Sequence, residues 1–225
     1  MNYLIGCGGV GSFLAPSLAK LVGASNLTLV DGDTLEEKNL DRQLFDVSSI
    51  GLNKAAALGE KYGLEWLDAY YYNGLIQELA PSDWLLVAVD NHPARAAVLE
   101  SCDHYRCRAI FAANETHSSE AYVYLPAWGG TDLDPRRYYP EILTVKTGDP
   151  LARQAGCTGE AQEANRQLVS ANFSAAALAQ HLYVVWALES KHMDQEAWPY
   201  IPHKLVCNLT KLTSYCQADG ENRKE

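Results

Sequence analysis

Apolar residues in the first half of the chain come in short runs, and the stretches between them repeat at helical spacing. Tyr3-Leu4-Ile5 predicts a strand that runs straight into a glycine-rich turn. Phe13-Leu14-Ala15-Pro16-Ser17-Leu18-Ala19-Lys20-Leu21 then reads as a helix, with Pro16 expected in its first turn or so, where a missing N–H matters least. Leu27-Thr28-Leu29-Val30 predicts a second strand, and residues 54–62 a helix closed by Gly63. The aromatic-rich stretch 65–72 predicts a third strand, followed by a short helical turn over 75–79. Trp84-Leu85-Leu86-Val87-Ala88-Val89 is apolar throughout, as a strand buried in a parallel sheet requires. A helix over 93–105, a strand over 108–113 and an alternating strand over 120–125, expected to have one wetter face, complete the regular part. This order predicts an α/β fold: a doubly wound, mostly parallel sheet with ligands at the carboxyl ends of its strands. Beyond it, 127–158 predicts a long crossover loop. Residues 160–189 predict two helices broken near 170–174, and 199–216 a strand or two at an antiparallel edge.

Those strand ends carry the candidate chemistry. Gly6, Gly8 and Gly11 form Gly-x-Gly-x-x-Gly at the end of the first strand, where a tight turn and a helix N-terminus can receive phosphate. Asp31 ends the second strand, at the distance that suits a ribose hydroxyl pair. To this point NAD(P), FAD or another nucleotide fits equally. Asn39, Arg42 and Gln43, followed by Lys54 at a helix start, turn the reading toward a triphosphate, since Arg clamps phosphate oxygens with a planar fork and Lys adds a mobile charge. Asp90 ends the strand beside the glycine turn, where a carboxylate can hold Mg²⁺ or simply cap the next helix.

Taken together, Gly6-x-Gly8-Gly9-x-Gly11-Ser12, Val30-Asp31-x-Asp33, Asn39-Leu40-x-Arg42-Gln43, Lys54 and Val89-Asp90-Asn91 with Arg95 resemble the adenylation domain of the ubiquitin-activating superfamily, which includes ThiF, MoeB and HesA. The resemblance runs from residue 3 to about 190. The wording around Arg42-Gln43-Leu44-Phe45 and Gly51-Leu52-Asn53-Lys54-Ala55 is most similar to the ThiF-related proteins of the PRTRC plasmid cassette. It implies a Rossmann-like adenylation domain over 1–216 with a frayed tail at 217–225. It also implies ATP and Mg²⁺ as cofactors, a homodimer, and a small ubiquitin-like or sulfur-carrier protein ending in Gly-Gly as partner. By the same resemblance Gly6, Gly8, Gly9, Gly11, Asp31, Asp33, Asn39, Arg42, Gln43 and Lys54 hold the nucleotide. Asp90 holds the metal, and Arg42, Lys54 and Asp90 serve the chemistry. Asp33 is left between a ribose contact and a turn cap, and Arg95 is expected to be structural. Cys157 lies where relatives carry a reactive cysteine, and a small buried hydrophobe is the other reading of it.

Composition narrows the alternatives. At 225 residues and 48% apolar content the chain suits one α/β domain with a full core. A net charge of −10 with no basic run argues against nucleic acid as a partner. The helical stretch 175–188 is too short for a membrane span, no secretory signal precedes the first strand, and Cys7, Cys102, Cys107, Cys157, Cys207 and Cys216 make no C-x-x-C zinc pair. A cytoplasmic protein with reduced thiols is expected. One departure stands out: relatives bring an Arg from a helix before the first strand into the partner's ATP site, and here only Met1 and Asn2 precede that strand. Either Arg136 or Arg137 of the long loop substitutes, or a partner chain provides the arginine, or activity is reduced. The rival readings are a non-catalytic subunit of this fold that pairs with an active one, and an NAD(P)-dependent oxidoreductase.

Overall fold

A computed structural model describes residues 1–144, 168–189, 201–211 and 213–217. The strands are β1 (Asn2–Ile5), β2 (Leu27–Val30), β3 (Glu65–Leu67), β4 (Trp84–Val87), β5 (Arg108–Asn114), β6 (Ser118–Tyr124), β7 (Lys204–Asn208) and β8 (Thr213–Gln217). Among the described residues they form one sheet in the order β3-β2-β1-β4-β5-β6-β7-β8. The first five in that order run parallel, and β6, β7 and β8 add the antiparallel edge. The chain leaves β1 to one side for β2 and β3, then crosses to its other side for β4. A crevice therefore opens between the carboxyl ends of β1 and β4.

Two apolar layers enclose the sheet. On one face α1 (Gly9–Val22), α2 (Lys54–Tyr62) and α6 (Val169–Tyr183) cover a core that includes Leu4, Leu14, Leu18, Leu29, Leu58 and Leu86. On the other, α3 (His92–Tyr105) and α5 (Glu141–Thr144) bring Val98 and Ile142 to a core that includes Ile5, Leu85, Phe111 and Tyr122. Alternate residues of the central strands go to opposite layers, so these strands read as unbroken apolar runs. α2 is set locally: Asn53 caps it by accepting the Ala56 N–H at 3.0 Å, and Gly63 closes it in the left-handed conformation.

Several expectations are corrected. Pro16 is not in the first turn of its helix: α1 begins at Gly9, so the proline falls two turns in, and the helix runs through it at the cost of one backbone bond. The third strand keeps only Glu65–Leu67, all exposed at the sheet edge, and 75–79 forms a bend and irregular chain in place of the helical turn. β6 has no wetter face at its centre: Ala121 and Val123 face α6, while Tyr122 stacks on Phe111 with ring centroids 5.0 Å apart. No break occurs at 170–174, because α6 is continuous across it. The described part of the expected loop also holds structure: α4 (Pro135–Tyr138) is capped by Asp134, which accepts the Arg136 N–H at 3.0 Å, and α5 follows. Short helices of this kind escape a periodicity argument because they hold barely one turn.

Candidate functional site

The glycine turn is shaped by steric necessity. Gly6 has φ +90°, and a Cβ there would lie 2.8 Å from the Ala88 carbonyl oxygen at the end of β4. At Gly11 a Cβ would come within 1.9 Å of the Gly6 carbonyl oxygen. These two glycines thus let α1 close onto β1 and β4. Gly8 differs, since the nearest atom to a Cβ there is the Gln43 side chain at 3.6 Å. Gly8 is also the cap of α1 and offers no side-chain bond, leaving the first N–H groups of the helix open toward the crevice.

Asp31 ties this turn to β2. Its Oδ2 accepts the Cys7 N–H at 2.6 Å and its Oδ1 accepts the Asp33 N–H at 2.7 Å. Burial raises the Asp31 carboxyl above its ordinary value, although these two N–H groups and the nearby Lys54 pull it back. Lys54 is buried, and its Nζ donates to Asp33 Oδ2 at 2.9 Å, while Tyr70 donates to Asp33 Oδ1 at 2.7 Å. Asn53 donates to the Asp31 carbonyl at 2.8 Å and to Asp68 at 2.8 Å, fixing the Asp31–Asp33 turn from below.

The loop carrying Asn39, Arg42 and Gln43 folds over the glycine turn. Asn39 is buried and accepts the Glu36 N–H at 3.0 Å, so its side chain builds the loop. Ser12, fully buried in α1, accepts the Leu44 N–H at 2.9 Å. From α6, Asn172 donates to the Arg42 carbonyl at 2.8 Å. The Arg42 guanidinium rests on the Lys38 carbonyl at 3.2 Å and on Asp41 at 3.3 Å, both at the surface. At the far wall, Asp90 is exposed just beyond β4, and the cap of α3 is Asn91, which accepts the Ala94 N–H at 2.9 Å. The cap reading of Asp90 is thereby assigned to its neighbour. Arg95 is buried and donates to the Val89 carbonyl at 3.0 Å, holding the backbone before Asp90.

The structure thus gathers Gly6, Gly8, Gly9, Gly11, Asp31, Asp33, Asn39, Arg42, Gln43 and Lys54 around one crevice, with Asp90 at its rim. Cys157 lies outside the described residues. Cys7 is fully buried, and burial together with Asp31 pushes its thiol well up, as suits packing. Arg136 is engaged within its own chain. It donates to Asp134 at 2.8 Å, to Asp103 at 2.7 Å and to the Tyr124 hydroxyl at 2.8 Å, and Tyr124 pairs with Ala109 at the opposite end of the sheet. Arg137 pairs with Asp132 at 3.2 Å at the surface. Sequence reasoning missed Ser12 as an anchor, Asn53, Tyr70 and Asn172. A buried polar position on α6 was the one available signal for Asn172, and nothing local tied it to residue 42.

A family model described as ThiF family matches residues 2–142. Ubiquitin-like modifier-activating enzyme 5 of Gallus gallus is 31% identical over 120 residues, covering 44% of this chain and 30% of that protein. The chain therefore spans under a third of the length of the curated relatives it matches. A crystal structure of E. coli MccB with AMPCPP and MccA superimposes with a TM-score of 0.64 at 17% identity, covering 99% of this chain and 65% of that one. E. coli tRNA N6-threonylcarbamoyladenosine dehydratase, TcdA, in complex with AMP gives 0.62 at 16% identity, covering 85% of this chain and 87% of that one. At that identity the likeness establishes the fold.

Proposed function

The chain belongs to the ThiF family, and from that premise we propose that it is an ATP-dependent adenylyltransferase. Its substrate would be the C-terminal carboxylate of a small ubiquitin-like or sulfur-carrier protein ending in Gly-Gly. The observation that carries this reading is the joining of the glycine turn, the Lys54–Asp33 pair and the Arg42 loop around the crevice between β1 and β4. The nucleotide-bound relatives, MccB with AMPCPP and TcdA with AMP, support ATP as the co-substrate.

In this reading the α1 N-terminus at Gly8 and Gly9 receives phosphate oxygens. Lys54 exchanges Asp33 for phosphate, and Asp33 is released toward the ribose. Arg42 leaves its surface contacts to neutralise the departing pyrophosphate. A carboxylate oxygen of the carrier attacks the α-phosphorus, the bond to the bridging oxygen breaks, and pyrophosphate leaves with the electron pair. Asp90 fits a Mg²⁺ site: its exposed carboxylate offers hard oxygen ligands, and such ions are held by one or two carboxylates with substrate phosphates. The metal, when bound, supplies charge neutralisation at the phosphates. The Cys157 thiolate is proposed then to attack the carbonyl carbon of the acyl adenylate, forming a thioester as the acyl C–O bond breaks and AMP leaves, and the protein to work as a homodimer.

A second reading, a non-catalytic ThiF-fold subunit paired with an active one, draws support from Arg136 being held at the far end of the sheet. Nucleotide-dependent melting separates both from an oxidoreductase. ATP with Mg²⁺ at a hundredfold excess over its dissociation constant should stabilise the fold by about 2.7 kcal/mol. A response to NADH in place of ATP would overturn the proposal.

A further inference from the structure

Asn172 is 0% exposed and stands 130 positions along the chain from Arg42, whose carbonyl its Nδ2 bonds at 2.8 Å. The same amide lies flat against Gly9, where a Cβ would come within 2.8 Å of both amide heteroatoms. Gly9 is not one of the spaced glycines of the fingerprint, so its missing side chain answers to Asn172 and not to the tight turn. Among the described residues Asn172 Oδ1 has no hydrogen-bond partner. A buried amide with one idle end costs more than an apolar residue of the same shape. What the asparagine adds over a leucine is therefore its donor to the Arg42 carbonyl.

That donor ties α6 to a loop whose own turn is closed by the Arg42 and Gln43 N–H groups donating to the Asn39 carbonyl at 3.2 and 3.0 Å. Ser12 holds the Leu44 N–H at 2.9 Å, and among the described residues the Arg42 guanidinium has surface contacts at 3.2 and 3.3 Å. We propose that Asn172 is a positioning residue of the nucleotide site: it holds the Arg42 carbonyl against the glycine turn and so sets the point from which Arg42 and Gln43 reach the β- and γ-phosphates. The ligand in this statement rests on the adenylation reading, whereas the anchoring does not.

The test uses the full chain with Asn172→Leu, which keeps the branched shape and removes the donor, and Asn172→Ala as a second variant. Without nucleotide, amide exchange over residues 40–45 should quicken about tenfold in both, with the sheet unchanged. Calorimetry should then show ATP bound about tenfold more weakly and AMP about as well as before, with no further loss when Arg42→Ala is already present. Unchanged exchange over 40–45 overturns the proposal. So does an equal loss of ATP and AMP, which would mean general disruption, or additive losses in the double variant. If the unmodified protein binds no nucleotide, the adenylation reading falls, and the exchange result alone decides the anchor.

Discussion

Asp31 and Gly8 show how the same crevice divides its residues between holding itself together and meeting a ligand. Both carboxylate oxygens of Asp31 accept backbone N–H groups, so the residue read from its spacing as a ribose partner already serves the fold. The reverse holds at Gly8, where a Cβ meets nothing closer than 3.6 Å. Gly8→Ala should leave urea-unfolding stability within about 0.5 kcal/mol and still weaken ATP roughly tenfold by blocking backbone approach. Gly6→Ala should destabilise by about 1–3 kcal/mol or more, since it adds a side chain at positive φ against a backbone carbonyl. Equal stability losses at the two positions would contradict this division. His92 gives a pH signature. Both ring nitrogens are buried with no hydrogen-bond partner among the described residues. Burial, helped by Arg95 and opposed by Glu141, holds its pKa below the ordinary 6.5. A depressed folded value means the neutral ring's contribution is full above pH 6.5 and is lost as pH falls through that range. His92→Leu should therefore flatten the stability difference between pH 7 and pH 5 in chemical denaturation (about one ionisation's worth).

At the scale of elements, the strands, α2 and α3 were legible because each announces itself twice, by apolar pattern and by a terminating residue such as Gly63. The loop 36–45 was legible only as a set of residue types. Its path depends on Ser12 and Asn172, and contacts this remote leave no periodic trace in the sequence. The segment before α5 was read as structureless for the same reason: its order comes from one carboxylate. Asp134 is buried and accepts from the Gly130 N–H at 2.8 Å, the Arg136 N–H at 3.0 Å and the Arg136 guanidinium at 2.8 Å. Burial pushes its carboxyl up, but Arg136 and these N–H groups outweigh it and hold the group below its ordinary 3.8. Its contribution is then present above pH 3.8 and lost on acidification. Asp134→Asn should cost about 1–3 kcal/mol at neutral pH, with the gap to the unmodified protein closing as pH falls toward 3, as read by chemical denaturation. A gap that stays constant with pH would contradict the assignment.

Across the whole molecule, sheet order explains why residues as far apart as Gly6, Asp31 and Asp90 share one crevice: all three follow strands that neighbour β1 or are β1 itself. The parallel half and the ligand end were legible in the rhythm of strands and helices. The covering of both faces of β6 was not, because it depends on α6 from one side and on the Tyr138–Tyr139 segment from the other. The far end of the sheet is occupied by the Arg136 network, so the crevice contains no arginine from that segment. Among the described residues no helix is long and apolar enough to cross a membrane.

The decisive measurement is ATP–pyrophosphate exchange with purified protein, carrier proteins ending in Gly-Gly, and Asp90→Ala run alongside. Adenylation by this crevice should give label exchange that requires the carrier's C-terminus and disappears in Asp90→Ala while the variant stays folded. Exchange undiminished by Asp90→Ala, or its absence with every carrier in a protein that binds ATP, would contradict it.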